Sequence, residues 1–175
     1  PPPALQRVTP EMDKIFTRFM ADNHVPGLVY GVVAHGKLEY VKPFGVQDLD
    51  AKRPVTADSL FRIASMTKAF TALTLLHLRD EGKVSLTAKA EDYIPEMRGW
   101  TYPTKDSPHI KVTDILGHTP GFVTDDPWGD RQTPIPESEF TAMLKKGIAF
   151  DHAPATAFSY SNLGFAMVGR VIQNV

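Results

Sequence analysis

Residues 61–80 read FRIASMTKAFTALTLLHLRD, and two polar side chains inside this apolar stretch decide how the chain is read. Met66, Ala69, Phe70, Ala72, Leu73, Leu75, Leu76 and Leu78 leave almost no polar face, the pattern of a helix buried all round. Lys68 is the one charge between Arg62 and Arg79. On a helix, Ser65 and Lys68 share a face, with Cβ atoms about 5–6 Å apart. A lysine carried into an apolar setting needs a partner or a lowered pKa, and a hydroxyl beside it is a candidate activated nucleophile. The spacing alone is unspecific, because seven serines and eleven lysines give roughly 0.4 chance S-x-x-K matches in this length. A capping serine beside a snorkelling lysine explains it equally well.

Composition narrows the setting. The 175 residues suit one domain with a real core, and 42% hydrophobic content with a mean hydropathy of −0.19 fits a globular protein. A net charge of −1 gives no electrostatic case for nucleic acid or an anionic membrane surface, and no apolar run is long enough for a membrane span. With no cysteine there is no disulfide scaffold, thiol nucleophile or thiolate metal site. Its absence is compatible with a periplasmic or secreted protein without fixing the compartment. The six histidines lack ligand spacing and read as surface or turn residues, so neither metal nor organic cofactor is expected. The opening PPPAL, without methionine, suggests an upstream segment.

Thr9-Pro10 reads as a helix start, with Met12, Ile15, Phe16, Phe19 and Met20 at helical spacing to about Asn23. Residues 28–34 and 37–44 form a hairpin around His35-Gly36, with Gly31 marking a bulge or a close backbone approach. Residues 45–59 read as loop. Beyond the apolar helix come short elements with Tyr93, Trp100 and Tyr102, a short helix capped by Thr113, and a loop containing Trp128. Residues 136–146 read as a helix, and residues 163–175 as another. Tyr102, Phe122 and Trp128 are open to either cleft lining or core packing. A single hairpin is marginal alone, and the last helix lacks a stop signal. The expectation is therefore the N-terminal part of a larger folding unit.

Tyr160-Ser161-Asn162 is the second chemical element. A tyrosine and an asparagine two apart arise by chance roughly 0.1 times here, and a capping residue ahead of the last helix is the plain alternative. The stretches FRIASMTKAFTALTLLHLRDEGKVSL, EDYIPEM, VTDILGHTPGF and FSYSNLGFAMVGRVI, in that order, resemble the serine β-lactamase/penicillin-binding-protein-like superfamily. The pattern is similar to class C β-lactamases, family VIII carboxylesterases and D-aminopeptidases. The resemblance spans most of residues 11–175.

It implies an α+β, β-lactamase/transpeptidase-like fold: an antiparallel sheet flanked by helices, plus a helical region. Residues 1–60 would supply the helix and hairpin of the α/β part, and residues 61–175 most of the helical region. It implies Ser65 as the acylated nucleophile, Lys68 and Tyr160 as its proton partners, and Asn162 as a substrate-binding residue. The chemistry agrees: an ammonium in contact favours the phenolate of a tyrosine that otherwise ionises near pH 10, and such a pair titrates as one unit. Asn162 can donate to a substrate carbonyl and accept from Lys68. The Ser65 amide can serve as an oxyanion donor. The implied activity is acyl-enzyme hydrolysis of ester, amide or lactam carbonyls in a small-molecule or peptide substrate. A penicillin-binding sensor or acyl-trap, and a silent structural relative, are the alternatives.

Two departures matter. The Pro-Gly expected before the second motif is Pro154-Ala155. The third motif, K-T-G or H-x-G on a late strand, is absent, since His118-Thr119-Pro120-Gly121 precedes Tyr160. The expectation is that a second chain or a C-terminal segment completes the sheet, and that these residues alone are inactive.

Overall fold

The computed structural model describes residues 3–124 and 135–175, and the chain divides into two compact units, Pro1–Arg62 and Ile63–Val175. In the first unit, helix α1 spans Pro3–Asp22. Leu5, Thr9, Met12, Asp13, Phe16 and Met20 are its buried or half-buried face, with the three- and four-residue steps of an amphipathic helix. The expected start at Thr9-Pro10 is therefore six residues late. The stripe runs back through Leu5, Thr9 lies on it at 9% exposure, and Pro10 sits inside the helix.

Strands β1 (Gly27–Ala34) and β2 (Lys37–Asp48) pair antiparallel from Gly27↔Gly45 to Ala34↔Lys37. His35 and Gly36, at φ +51° and +74°, make the two-residue turn. Positive φ at both centres matches the twist of a tight hairpin. The register shift falls between Val32 and Val33, one residue past Gly31, where a Cβ would come 3.1 Å from Leu38 Cδ1. Residues 45–59 are not all loop, as the pattern suggested. At Gly45, φ +67°, an added Cβ would lie 2.1 Å from the Pro26 carbonyl oxygen. That approach lets the Val46 amide donate to Pro26 and β2 run on to pair with β3, Arg53–Pro54. The sheet order is β1-β2-β3.

Tyr30 joins α1 to this sheet. Its ring stacks on Phe16 at 4.4 Å, and its hydroxyl donates to Asp13 at 2.8 Å. The Lys42 ammonium is 3.5 Å from the other Asp13 oxygen. Burial, then the bond to Asp13, hold the Tyr30 hydroxyl protonated well above the usual tyrosine range.

In the second unit a 3₁₀ turn at Ala64–Met66 leads into α2 (Thr67–Asp80). Then follow α3 (Ala90–Tyr93), a 3₁₀ turn at Pro95–Met97, α4 (Val112–Leu116), α5 (Glu137–Lys146) and α6 (Asn162–Asn174). Leu75, Ile94, Met97, Ile110, Val112, Ile115, Phe122, Leu144, Met167, Val168 and Val171 form its core, each at 0–1% exposure. Helices α2 and α4 both pack on α6.

Helix α2 is not buried all round. Its inward stripe is Lys68, Thr71, Ala72 and Leu75, with Leu75 alone fully buried, while Met66, Phe70 and Leu73 are 63–69% exposed. Apolar content states what a helix could bury; α6 covers one stripe of it. The cap of α4 also differs from expectation. Asp114 accepts from the Lys111 amide at 2.8 Å, so the helix starts ahead of Thr113. Helix α5 starts after Pro136, with Phe140 and Leu144 inward as the pattern required. Phe122 is core, and Trp100 packs on it and on Phe150, as Tyr102 does on Phe150. Trp128 lies outside the described residues. No helix among the described residues is long and apolar enough to cross a membrane.

Candidate active site

The four residues singled out in the sequence come from two stretches, the entry to α2 and the entry to α6, and the second unit brings all four together. Ser65 lies in the 3₁₀ turn, one residue after Ala64 at φ +45°. An L-residue there is strained by about 1–2 kcal/mol, a cost met where a tight entry presents a side chain to a site. Lys68 follows in the first turn of α2 on the inward stripe.

Tyr160 and Asn162 flank the start of α6. Ser161 between them has extended backbone (φ −136°, ψ +117°), and its Oγ accepts from the Gly164 amide at 2.9 Å. Successive side chains on extended backbone point to opposite sides. Ser161 therefore turns inward at 0% exposure as the N-cap, and its neighbours turn together towards α2. Capping and site geometry are the same fact: the capping serine is what makes the tyrosine and asparagine two apart useful.

Ser65 Oγ and Tyr160 Oη are 2.6 Å apart, and either hydroxyl can donate. The Lys68 ammonium donates to Asn162 Oδ1 at 2.5 Å and to Ser65 Oγ at 3.4 Å. It also lies 4.8 Å from the Tyr160 ring centroid and 5.6 Å from that of Phe165. The serine hydroxyl thus touches a phenol and an ammonium at once. Once either the phenol or the ammonium has given up a proton, the resulting phenolate or amine can take the serine proton as the oxygen attacks a carbonyl. Among the described residues, no group of three or more His, Asp or Glu could hold a metal ion.

Sequence reasoning missed His118. The histidine spacing predicts a surface or turn residue there, but His118 is half-buried at φ +56°, with Nδ1 3.0 Å from the Ser161 amide and its ring 4.6 Å from that of Tyr160. Its place in LGHTPGF was the one available signal. Ala155, in the position of the expected glycine, takes φ +63° and donates its amide to Thr119 at 2.8 Å, so the turn survives the substitution in a strained form.

With this geometry in place, the comparisons assign the class. Residues 12–175 match the family model described as Beta-lactamase, so the chain belongs to the beta-lactamase family. It is 30% identical over 167 residues to Protein flp of Staphylococcus aureus (strain N315), covering 94% of this chain and 33% of that protein. Among solved structures it is similar to a class C beta lactamase, with 26% identity, a TM-score of 0.76, and coverage of 95% of this chain and 44% of that one. It is also similar to a D-alanine carboxypeptidase AmpC from Burkholderia cenocepacia, with 28% identity, a TM-score of 0.68, and coverage of 97% and 43%. The chain thus spans about a third of the curated relative and under half of the solved ones. The fold is the beta-lactamase/transpeptidase-like α+β fold expected from the sequence.

Proposed function

We propose that the protein is a hydrolase working through an acyl-enzyme on Ser65, with an ester, D-amino-peptide amide or lactam as substrate. The observation that carries this reading is Ser65 Oγ at 2.6 Å from Tyr160 Oη, with Lys68 joining Ser65 to Asn162. Ser65 Oγ attacks the substrate carbonyl carbon while its proton passes to the Tyr160–Lys68 pair. The Ser65 amide, at a helix entry, donates to the tetrahedral oxyanion, whose charge the helix dipole also stabilises. Collapse breaks the bond to the alcohol or amine, which leaves with the shared proton. Water, deprotonated by the same pair, then releases the acid and regenerates Ser65. Asn162 orients Lys68 and offers its amide N–H to the substrate.

Further strands, from the same chain or another, would complete the sheet and the cleft. The greater length of the relatives and the exposed Met66, Phe70 and Leu73 support that part of the reading.

Incubation of the full-length protein with a fluorescent penicillin and with p-nitrophenyl esters tests it. Turnover with loss of both in Ser65→Ala is expected. A persistent stoichiometric adduct would replace hydrolysis by acyl-trapping, and absence of any reaction, or labelling of Ser65→Ala, would overturn the assignment.

A further inference from the structure

His118 holds the chain on both sides of Tyr160. Its backbone carbonyl accepts from the Ser159 amide at 2.8 Å, and its ring Nδ1 faces the Ser161 amide at 3.0 Å. A backbone amide can only donate, so Nδ1 is an acceptor and carries no proton in this arrangement. The imidazole is therefore bound as a base at that nitrogen. Its ring lies 4.6 Å from the Tyr160 ring at 30°, 5.2 Å from Phe165 at 35°, and edge-on to Phe158 at 5.6 Å. Tyr160 is thus held by its two neighbouring amides and by the ring against it.

The same ring is backed by Phe165, which with Tyr160 also borders the Lys68 ammonium. The titratable groups on the elements packed around His118, among the described residues, are Tyr160, Lys68 across those rings, and Asp114 on α4, whose carboxylate is engaged by the Lys111 amide. The backbone conformation is special as well. At φ +56°, His118 is in the left-handed region, where histidine and asparagine are tolerated better than most residues.

We propose that His118 is a positioning residue that fixes the Tyr160 hydroxyl against Ser65 Oγ through the Nδ1–Ser161 hydrogen bond. It touches neither substrate nor the attacking oxygen; it acts through the backbone that carries Tyr160 and Asn162. The proposal rests on the reading of Tyr160 as a proton partner of Ser65. Asparagine can present an oxygen acceptor and accept positive φ, whereas phenylalanine keeps the ring contact and removes the acceptor.

The test compares His118→Asn, His118→Phe and Tyr160→Phe in the full-length protein, reading the rate of Ser65 acylation and the binding constant separately, with thermal unfolding as a fold control. His118→Phe should slow acylation by about 10²-fold, the effect of a misplacement near 1 Å, with binding unchanged. His118→Asn should recover the rate to within about fivefold, a rescue that volume or ring stacking alone would not give. The imidazole ¹⁵N spectrum of the wild type should show Nδ1 unprotonated. Wild-type acylation in His118→Phe, equal loss in His118→Asn, or a proton on Nδ1 would overturn the proposal. If Tyr160→Phe acylates normally, the failure belongs to the underlying reading instead. If Tyr160→Phe is slow while His118→Phe is not, the failure is that of the positioning role alone.

Discussion

Arg170→Met gives the sharpest test of how the second unit holds its last helix. Arg170 sits on α6 at 5% side-chain exposure. Its guanidinium reaches Glu96 Oε1 at 2.6 Å, Glu137 Oε1 at 2.7 Å and Thr141 Oγ1 at 3.1 Å, and lies 5.2 Å from the Phe140 ring centroid. The arms are not equivalent. Glu137 is 62% exposed, so its arm contributes about 0–1 kcal/mol. Glu96 is 13% exposed, and its Oε2 already lacks a partner among the described residues. Removing the arginine strands that carboxylate, at a cost of about 3–5 kcal/mol. At about 2–4 °C per kcal/mol for a chain of this size, the melting temperature should fall by about 6–20 °C. Replacing both partners, Glu96→Met with Arg170→Met, should recover most of the loss, because no buried charge remains. The assay is a double-mutant cycle by urea and thermal unfolding, with Glu137→Gln as the control expected to cost less than about 1 kcal/mol. A loss below about 1 kcal/mol in Arg170→Met, or additivity in the double variant, would refute the assignment of a desolvated pair.

Lys68→Met should abolish acylation by penicillin or ester while costing only about 1–3 kcal/mol of stability, since the bond to Asn162 and the cation–ring contact are lost but the methionine keeps the apolar stem packed; a denaturation curve beside a labelling assay checks both. Ala155→Gly should stabilise by about 0.5–1 kcal/mol, because φ +63° is strained for alanine and free for glycine, and an unchanged or lowered urea midpoint would count against it. Tyr30→Phe should lose about 1.5–3 kcal/mol with the bond to Asp13. The folded Tyr30 pKa is raised, so its contribution is full below about pH 10 and declines above it, as the unfolded chain ionises while the folded one keeps its proton. Alkaline unfolding should accordingly be shallower in the variant, and identical alkaline profiles would show that Tyr30 titrates normally when folded.

What the sequence made legible was what neighbours in the chain decide. The hairpin at His35-Gly36, the helix after Pro136 and the pairing of Ser65 with Lys68 are all set within a few residues. The extension of β2 past Gly45 was not legible, because it depends on the Pro26 carbonyl approaching a residue that reads only as a loop glycine. The early start of α1 was masked by Pro10, a strong local signal overruled by an inward stripe reaching back to Leu5. Helix α2 failed differently: its composition is apolar all round, yet only one stripe faces α6. His118 was the least legible, since a histidine before Pro-Gly looks like a turn until a serine 43 positions later brings its amide to the ring.

The site is thereby a property of helix packing more than of either motif. Ser65 and Lys68 belong to the entry and first turn of α2, while Tyr160 and Asn162 belong to the entry of α6. In the proposed mechanism the proton-sharing pair is split between them, Lys68 on the first and Tyr160 on the second, so each needs the other. What joins them is the contact of α2 with α6, anchored by Leu75 at one side and Met167, Val168 and Val171 at the other, all at 0–1% exposure. A core packed at crystal-like density transmits small displacements instead of absorbing them, and an ångström at the hydroxyls matters to rate. The arrangement of the four residues is therefore held by apolar core side chains, with the His118–Ser161 and Ser161–Gly164 hydrogen bonds at the entry to α6.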